Sequence, residues 1–284
     1  METETTPASQ QPDSTHFQPP PDSLFPYDLQ HPTFIIQLEA QELHEISGLG
    51  PTSTPGLLCA ISDEKGEVLF IDAHGGGAVK HRVLFREKGD FEGVEMVGDC
   101  LYAIKSDGDL YRVKRWKGGR KPKSKKYETG LSKTEDVEGL GYDAAHNCLL
   151  VACKGDPDSA YIRPIYAFDL RTKQLNPKPV FVIDPEAVNQ RVPYDEQDKK
   201  HYFSSSGVAV HPISGDIYVI STALKRVVVL DHATGAILYA ARLDKNMFPQ
   251  PEGIAFDAAG NLFISSEGKK DQHSMLFRFE YQKP

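Results

Sequence analysis

Short apolar runs recur along the chain from about residue 34 onwards, and polar turns separate them. In each repeat a glycine-led run, such as Gly253-Ile254-Ala255-Phe256, precedes a turn rich in Asp, Asn and Gly, and a second apolar run follows. A third run alternates in places between apolar and polar positions, and a fourth is more polar, as in Arg82-Val83-Leu84-Phe85. Such runs, bounded by turn residues, predict antiparallel β-strands, four to a repeat, with the polar strand at the sheet edge.

Each repeat opens with the same phrase, an acidic or small polar residue close to a glycine. The five copies are Glu45-Ile46-Ser47-Gly48-Leu49, Phe91-Glu92-Gly93-Val94, Val137-Glu138-Gly139-Leu140, Ser205-Ser206-Gly207-Val208 and Pro251-Glu252-Gly253-Ile254. Successive phrases are 47, 46, 68 and 46 residues apart, counted at positions 45, 92, 138, 206 and 252. A period in the forties filled with short strands predicts the blades of a β-propeller. The longer interval predicts an insertion around residues 184–203.

The two ends of the chain complement each other. The fifth repeat ends after its third strand, whereas the run Phe34-Ile35-Ile36-Gln37-Leu38 precedes the first phrase without inner strands of its own. Pairing the two closes the ring and removes an open sheet edge. We therefore predict an all-β, five-bladed propeller of four-stranded blades over residues 32–284, with six blades as the alternative. Residues 1–31, rich in Thr, Gln, Ser and Pro, are expected to form a disordered leader.

The phrases also suggest a chemical site. Residues that open the innermost strands of a propeller face one another around its central channel, so we expect four glutamates and a serine to converge: Glu45, Glu92, Glu138, Glu252 and Ser206. Just past the second strands, Asp63 and Glu267 add two more carboxylates near the same mouth. Lys154 follows another second strand, and His44 directly precedes Glu45. Crowded carboxylates need raised pKa values or a cation among them, and oxygen ligands favour Ca²⁺ or Mg²⁺.

Two other interpretations of the Glu-Gly phrase stay open. The pair can serve the fold alone, because glycine permits a close approach of inner strands and Glu can accept hydrogen bonds from backbone amides. A ring glutamate can also act directly in catalysis. Other catalytic signatures, namely GxSxG, HExxH and the P-loop, are missing from the sequence.

The phrases resemble the SdiA-regulated family of bacterial β-propellers over about residues 33–282, with Glu-Ile-Ser-Gly-Leu at 45–49 and Gln-Pro-Glu-Gly-Ile-Ala-Phe-Asp at 250–257 among the matching segments. The resemblance implies a propeller at the cell envelope and a calcium site, without an established activity. Phytase-like esterase propellers share the Glu-Gly openings. Gluconolactonase-like propellers hold a divalent cation at the inner strands, but with one Glu plus Asn and Asp, so that ligand set does not transfer here. NHL-type propellers share the blade rhythm without the acid ring.

Composition limits the partners. The net charge is −8, which disfavours nucleic acid, although residues 114–126 hold eight Lys or Arg and suggest either a solvated loop or an anionic contact. The chain has no apolar run of 18 residues and no visible signal peptide. We expect an extracytoplasmic protein, tethered to a membrane through its leader, or a cytoplasmic one if the N-terminus is native. A monomer is expected, and the four cysteines are expected on second strands, as free thiols or in disulfide or metal bonds.

Two functions follow from these features. The preferred one is a cation-stabilised module that binds a small molecule or protein at one propeller face. The alternative is a metal-dependent esterase, lactonase or phosphoesterase, with a ring glutamate as base and the 184–203 insertion as lid, whose Tyr194 and His201 would contact the substrate.

Overall fold

The structure is a computed structural model that describes residues 25–119, 121–155, 162–195, 202–268 and 272–283. Within these ranges the strands are β1 (Phe34–Leu38), β2 (Ile46–Pro51), β3 (Leu57–Ser62), β4 (Gly66–Asp72), β5 (Val79–Arg86), β6 (Phe91–Val97), β7 (Cys100–Lys105), β8 (Leu110–Lys114), β9 (Lys123–Tyr127), β10 (Val137–Asp143), β11 (Cys148–Cys153), β12 (Arg163–Asp169), β13 (Gln174–Leu175), β14 (Phe181–Ile183), β15 (Gly207–Val210), β16 (Ile217–Ser221), β17 (Arg226–Leu230), β18 (Ile237–Arg242), β19 (Gln250–Phe256), β20 (Leu262–Glu267) and β21 (Ser274–Phe279). A 3-10 helix (Gln41–Leu43) and one α-helix, α1 (Pro185–Arg191), complete the described elements.

The strands form five antiparallel sheets, which are the blades. In chain order, blade one is β2-β3-β4-β5, blade two is β6-β7-β8-β9, blade three begins β10-β11-β12, blade four is β15-β16-β17-β18 and blade five is β19-β20-β21-β1. The five-bladed, all-β propeller predicted from the repeats is therefore confirmed. Blade three differs in its outer edge, where the short strands β13 and β14 both pair with β12 in place of one continuous strand.

The ring is closed as the sequence predicted. Strand β1 pairs with β21, with Phe34 opposite Arg278 and Leu38 opposite Ser274. Leu38 is fully buried, whereas Ile35 is 55% exposed. The alternation places one face of β1 in the core between blades five and one, as expected for an outer strand with one solvated face.

Residues 25–31, which composition placed in the leader, pack against blades four and five. Tyr27 is buried and its hydroxyl donates a hydrogen bond to the Gly260 carbonyl at 2.5 Å. The Phe25 ring stacks on Tyr239 with 3.9 Å between centroids. Residues 1–24 lie outside the described ranges.

The insertion lies at the ends of blades three and four where their inner strands begin. It contains α1, whose first turn is capped by the Asp184 carboxylate accepting from the Glu186 amide at 2.9 Å. Among the described residues, no helix has the length and apolar character needed to cross a membrane.

Two buried arginines fix the insertion to the propeller. Arg163 Nε of β12 donates to the carbonyl of Phe203 at 2.9 Å, and Arg226 Nη2 of β17 donates to the Pro193 carbonyl at 3.0 Å. Because β12 and β17 both begin at this end, the described part of the insertion lies on the same face as the predicted acid ring.

Candidate functional site

The inner strands share an irregularity at the start of the blade. In four blades the pairing of inner and second strand skips one residue, between Ile46 and Gly48, Phe91 and Gly93, Val137 and Gly139, and Pro251 and Gly253. The skipped residues are Ser47, Glu92, Glu138 and Glu252, and Ser206 precedes the matching Gly207 in blade four. A bulge of this kind re-aims the side chain of the extra residue.

This register corrects one member of the predicted ring. The residue of blade one equivalent to Glu92 is Ser47, not Glu45, because the glycine rather than the acid marks the bulge. Glu45 lies before β2 and is exposed. The ring therefore consists of three carboxylates and two serines.

The phrase glycines are required by close packing around the axis. A Cβ built on Gly48 would lie 2.8 Å from Gly93 Cα, one on Gly93 would lie 2.7 Å from Leu140 Cβ, and one on Gly253 would lie 2.7 Å from Leu49 Cβ. Each blade thus touches the next through its glycine, and the central space beside the ring is only about 10 Å³. The expectation that these glycines let the inner strands approach closely is confirmed.

The ring glutamates are close enough to raise one another's pKa values. Burial raises the pKa of Glu92 to about 9, and the nearby carboxylates of Glu138 and Asp90 contribute to the rise. Burial likewise raises the pKa of Glu252 to about 8, helped by Glu138 and Glu267. Three side chains from three blades therefore lie near enough to interact electrostatically at the mouth, which is the end of the channel where the inner strands begin.

Lys154 supplies a positive charge in this mouth. Its Nζ lies 2.6 Å from Glu138 Oε1. The pKa of Glu138 still rises to about 7, since burial outweighs the attraction of Lys154. Burial disfavours the charged amine of Lys154, but the Glu138 and Asp136 carboxylates outweigh this and raise its pKa.

A second set of acids surrounds the ring. Burial raises the pKa of Glu267 to about 7, with Asp63 and Glu45 contributing. Burial and Glu45 also raise the pKa of Asp63, whose Oδ1 is buried without a hydrogen-bond partner. Glu45 thus belongs to this outer set rather than to the ring.

The two serines of the ring donate hydrogen bonds to backbone carbonyl groups. Ser206 is 1% exposed, and its hydroxyl donates to the Pro251 carbonyl of blade five at 2.7 Å. Ser47 is also buried and donates to the Glu45 carbonyl at 3.2 Å. Ser206, predicted as a ligand contact, therefore joins blades four and five.

The other predicted contacts are dispersed. His44 is exposed and lines a notch of about 460 Å³ with Glu45 and Lys65 at the edge of the mouth. Tyr194 follows α1 in the insertion and is 42% exposed. His201 lies outside the described residues.

The carboxylate oxygens of the ring are spaced more widely than the donor atoms of a compact metal site. Among the residues that the structure describes, the three-residue group whose donor atoms all lie within 4.8 Å of one another is Asp143, His146 and His232, on the opposite face. The ring carboxylates do not form such a group. Bonds from Ca²⁺ to oxygen are about 2.3–2.6 Å long, so a Ca²⁺ ion at this mouth would need water for part of its coordination shell.

Sequence reasoning missed the Asp143 group. Its only signal was the turn Asp143-Ala-Ala-His146 after an inner strand, a spacing that also suits ordinary turn capping. The third member, His232, comes from blade four, 89 residues beyond Asp143. The four cysteines are free, and all lie on second strands as predicted.

Comparison with known proteins agrees with this architecture. The sequence model of the SdiA-regulated family matches residues 28–270. The chain belongs to the SdiA-regulated family.

Solved structures of other propellers are similar at low identity. A glutaminyl cyclase from Myxococcus xanthus superposes with a TM-score of 0.58 at 13% identity, covering 89% of this SdiA-regulated chain and 96% of the cyclase. A PQQ-bound aldose sugar dehydrogenase from Streptomyces coelicolor gives 0.53 at 14%, covering 88% and 99%. A luciferin-regenerating enzyme gives 0.49 at 15%, covering 83% and 77%. The likeness to the cyclase and the dehydrogenase concerns the fold, and none of the three carries a reaction over to this chain.

Proposed function

We propose that this SdiA-regulated propeller is a binding module whose acidic mouth holds a hydrated divalent cation, Ca²⁺ in the first instance, and presents it to a small molecule or protein partner. The observation that carries the proposal is the convergence of Glu92, Glu138 and Glu252 from three blades, with pKa values raised to about 9, 7 and 8. A cation is the natural compensation for such a cluster.

The surroundings support a weakly held ion. Lys154 already neutralises part of the charge beside Glu138, and water has to complete the coordination shell. Both features favour an affinity in the range of extracellular calcium modules, about 10⁻⁴–10⁻³ M. The buried Oδ1 of Asp63, which has no hydrogen-bond partner, offers an additional oxygen close to the outer acids.

Thermal melting tests the proposal. At tenfold excess over the dissociation constant, Ca²⁺ stabilises the fold by about 1.4 kcal/mol, which corresponds to a rise of about 3–5 °C in melting temperature over a chelator control. Glu92→Gln and Glu252→Gln each abolish the rise. Glu87→Gln, an exposed position between β5 and β6, retains it. Equal shifts in all variants, or no shift in the wild type, overturn the proposal.

A metal-dependent hydrolase is the second candidate. Glu138 favours it, because a carboxyl group with a pKa of about 7 beside Lys154 suits general acid–base catalysis at neutral pH. Calcium-dependent turnover of generic ester or lactone substrates that is lost in Glu138→Gln would favour the hydrolase over the binding module. Calcium binding without turnover supports the module.

A further inference from the structure

A second group of metal-ligating side chains lies at the other end of the blades. Asp143 ends the inner strand β10, His146 lies in the turn to β11, and His232 lies in the turn between β17 and β18 of blade four. Because Glu138 begins β10 and Asp143 ends it, this cluster and the acid ring are on opposite faces of the propeller.

One carboxylate oxygen is shared by the two imidazoles. Asp143 is buried, and its Oδ2 lies 2.8 Å from His146 Nδ1 and 2.8 Å from His232 Nε2. The two rings stack with 4.8 Å between centroids and 17° between planes. The three donor atoms thus face one small space between blades three and four.

The other carboxylate oxygen fixes the orientation of Asp143. Its Oδ1 accepts from the amides of Ala145 at 3.0 Å and His146 at 3.2 Å. Hydrogen bonds of this kind hold metal-ligating side chains in place in known sites.

Capping of the turn by Asp143 does not by itself explain why two histidine side chains contact its second carboxylate oxygen. Asp72, Asp169 and Asp231 cap turns that follow third strands, each likewise with Oδ1 accepting from two following amides. The second oxygen of Asp72 pairs with Lys80, and that of Asp169 with Arg171. The two imidazoles on Asp143 are therefore additional to what the turn needs.

A cavity of about 540 Å³ adjoins the cluster, and all three side chains line it. It opens where the outer strand of blade three is divided into β13 and β14. Leu150, Leu175 and Phe181 form apolar walls, with the Phe181 ring 5.9 Å from that of His232. This volume is in the range of small-molecule sites.

We propose that Asp143, His146 and His232 bind a divalent transition metal, Zn²⁺ in the first instance, with an open coordination position towards the 540 Å³ cavity. Two imidazole nitrogens and one carboxylate oxygen suit Zn²⁺ and are a poor set for Ca²⁺. Three protein ligands with a free fourth position are the pattern of zinc sites that bind water or substrate.

Metal binding requires the three donor atoms, which all lie within 4.8 Å of one another, to move to tetrahedral spacing. Tetrahedral bonds of about 2.0–2.2 Å place donor atoms about 3.3 Å apart. The present 2.8 Å contacts must therefore lengthen by about half an ångström. The His146 side chain is 62% exposed and free to move outwards, whereas Asp143 and His232 are held between blades.

Titration of the metal-free protein with ZnCl₂ by calorimetry, and with CoCl₂ by visible absorption, tests the site. We expect one Zn²⁺ per chain, and a Co²⁺ spectrum of a four-coordinate nitrogen and oxygen site. His232→Gln and His146→Gln weaken Zn²⁺ binding at least tenfold. His74→Gln, which changes an exposed histidine after the Asp72 turn, leaves it unchanged.

Folding of each variant is checked by its metal-free melting temperature. Should His232→Gln unfold the protein, the wild-type Co²⁺ spectrum and the exposed His146→Gln variant still decide the question. Zn²⁺ binding that is equal in wild type, His146→Gln and His232→Gln, or absent from the wild type, overturns the site. Glu92→Gln leaves Zn²⁺ binding intact, so failure here is distinguishable from failure of the calcium proposal.

Discussion

Lys154 Nζ and Glu138 Oε1 lie 2.6 Å apart at the mouth of the channel, at the start of the third blade's inner strand and the end of its second. This ion pair is the internal charge compensation of a cluster whose other carboxylates have raised pKa values. It also sets how much negative charge remains at the mouth for an added cation to neutralise.

Lys154→Met leaves the Glu138 carboxylate buried without its partner. We expect a loss of about 1–2 kcal/mol in unfolding free energy at pH 8, less than for a fully buried pair because the lysine side chain is 36% exposed. Urea denaturation measures the loss. The double variant Lys154→Met/Glu138→Gln should recover part of it, and a double variant as unstable as the sum of the single ones would contradict this coupling.

Stability without metal should fall as the pH rises from about 5 to 9. Unfolded glutamates titrate near 4.3, whereas folded Glu92 and Glu252 titrate near 9 and 8. The folded state therefore binds more protons in this window, and the unfolding free energy has a negative slope against pH.

Denaturation curves in chelator across that range measure the slope. Glu92→Gln, whose amide cannot ionise, should make the slope shallower and raise stability at pH 9. A stability that increases with pH in the wild type, or an unchanged slope in the variant, would count against buried protonated glutamates.

Gly93→Ala should be strongly destabilising. The added methyl group would lie 2.7 Å from Leu140 Cβ and 2.8 Å from the Leu140 amide nitrogen, so the inner strands of blades two and three must separate. We expect the unfolding free energy to fall by about 1–3 kcal/mol. Gly98→Ala is the comparison, since open space surrounds it and only its positive φ costs energy, about 1 kcal/mol. Equal melting temperatures for the two would show that the close approach is unimportant.

Leu38→Ala tests the closure of the ring. Leu38 of β1 is fully buried against blades five and one, so its truncation should cost about 2–4 kcal/mol. Ile35→Ala, on the exposed face of the same strand, should cost under about 0.5 kcal/mol. Thermal melting of both measures the difference, and similar small effects would mean that β1 contributes little to the folded state.

The blade plan was predictable because it depends on local patterns that repeat. Turn residues, apolar runs and a phrase that recurs every 46 or 47 residues, except across the insertion, specify the five sheets. The unmatched run at residues 34–38 specifies the closure. The divided edge of blade three was not predictable, because β13 and β14 are two and three residues long and carry no periodic signal.

The site was less predictable because it depends on register. Anchoring the phrase of blade one on its acid selected Glu45, whereas alignment on Gly48 selects Ser47. Asp143 and His232 meet only because blades three and four pack side by side, and no local pattern links them. Apparent pKa values depend in the same way on which side chains the fold buries together.

The pairing of β1 with β21 also constrains how the protein is made. Strand β1 is synthesised before every other described strand, and its partner β21 is synthesised after every other one. Until β21 has been translated, residues 34–38 have no native strand to pair with, and the nascent chain exposes the apolar residues of β1. A chain that stops before β21 would leave this apolar edge permanently without its native partner.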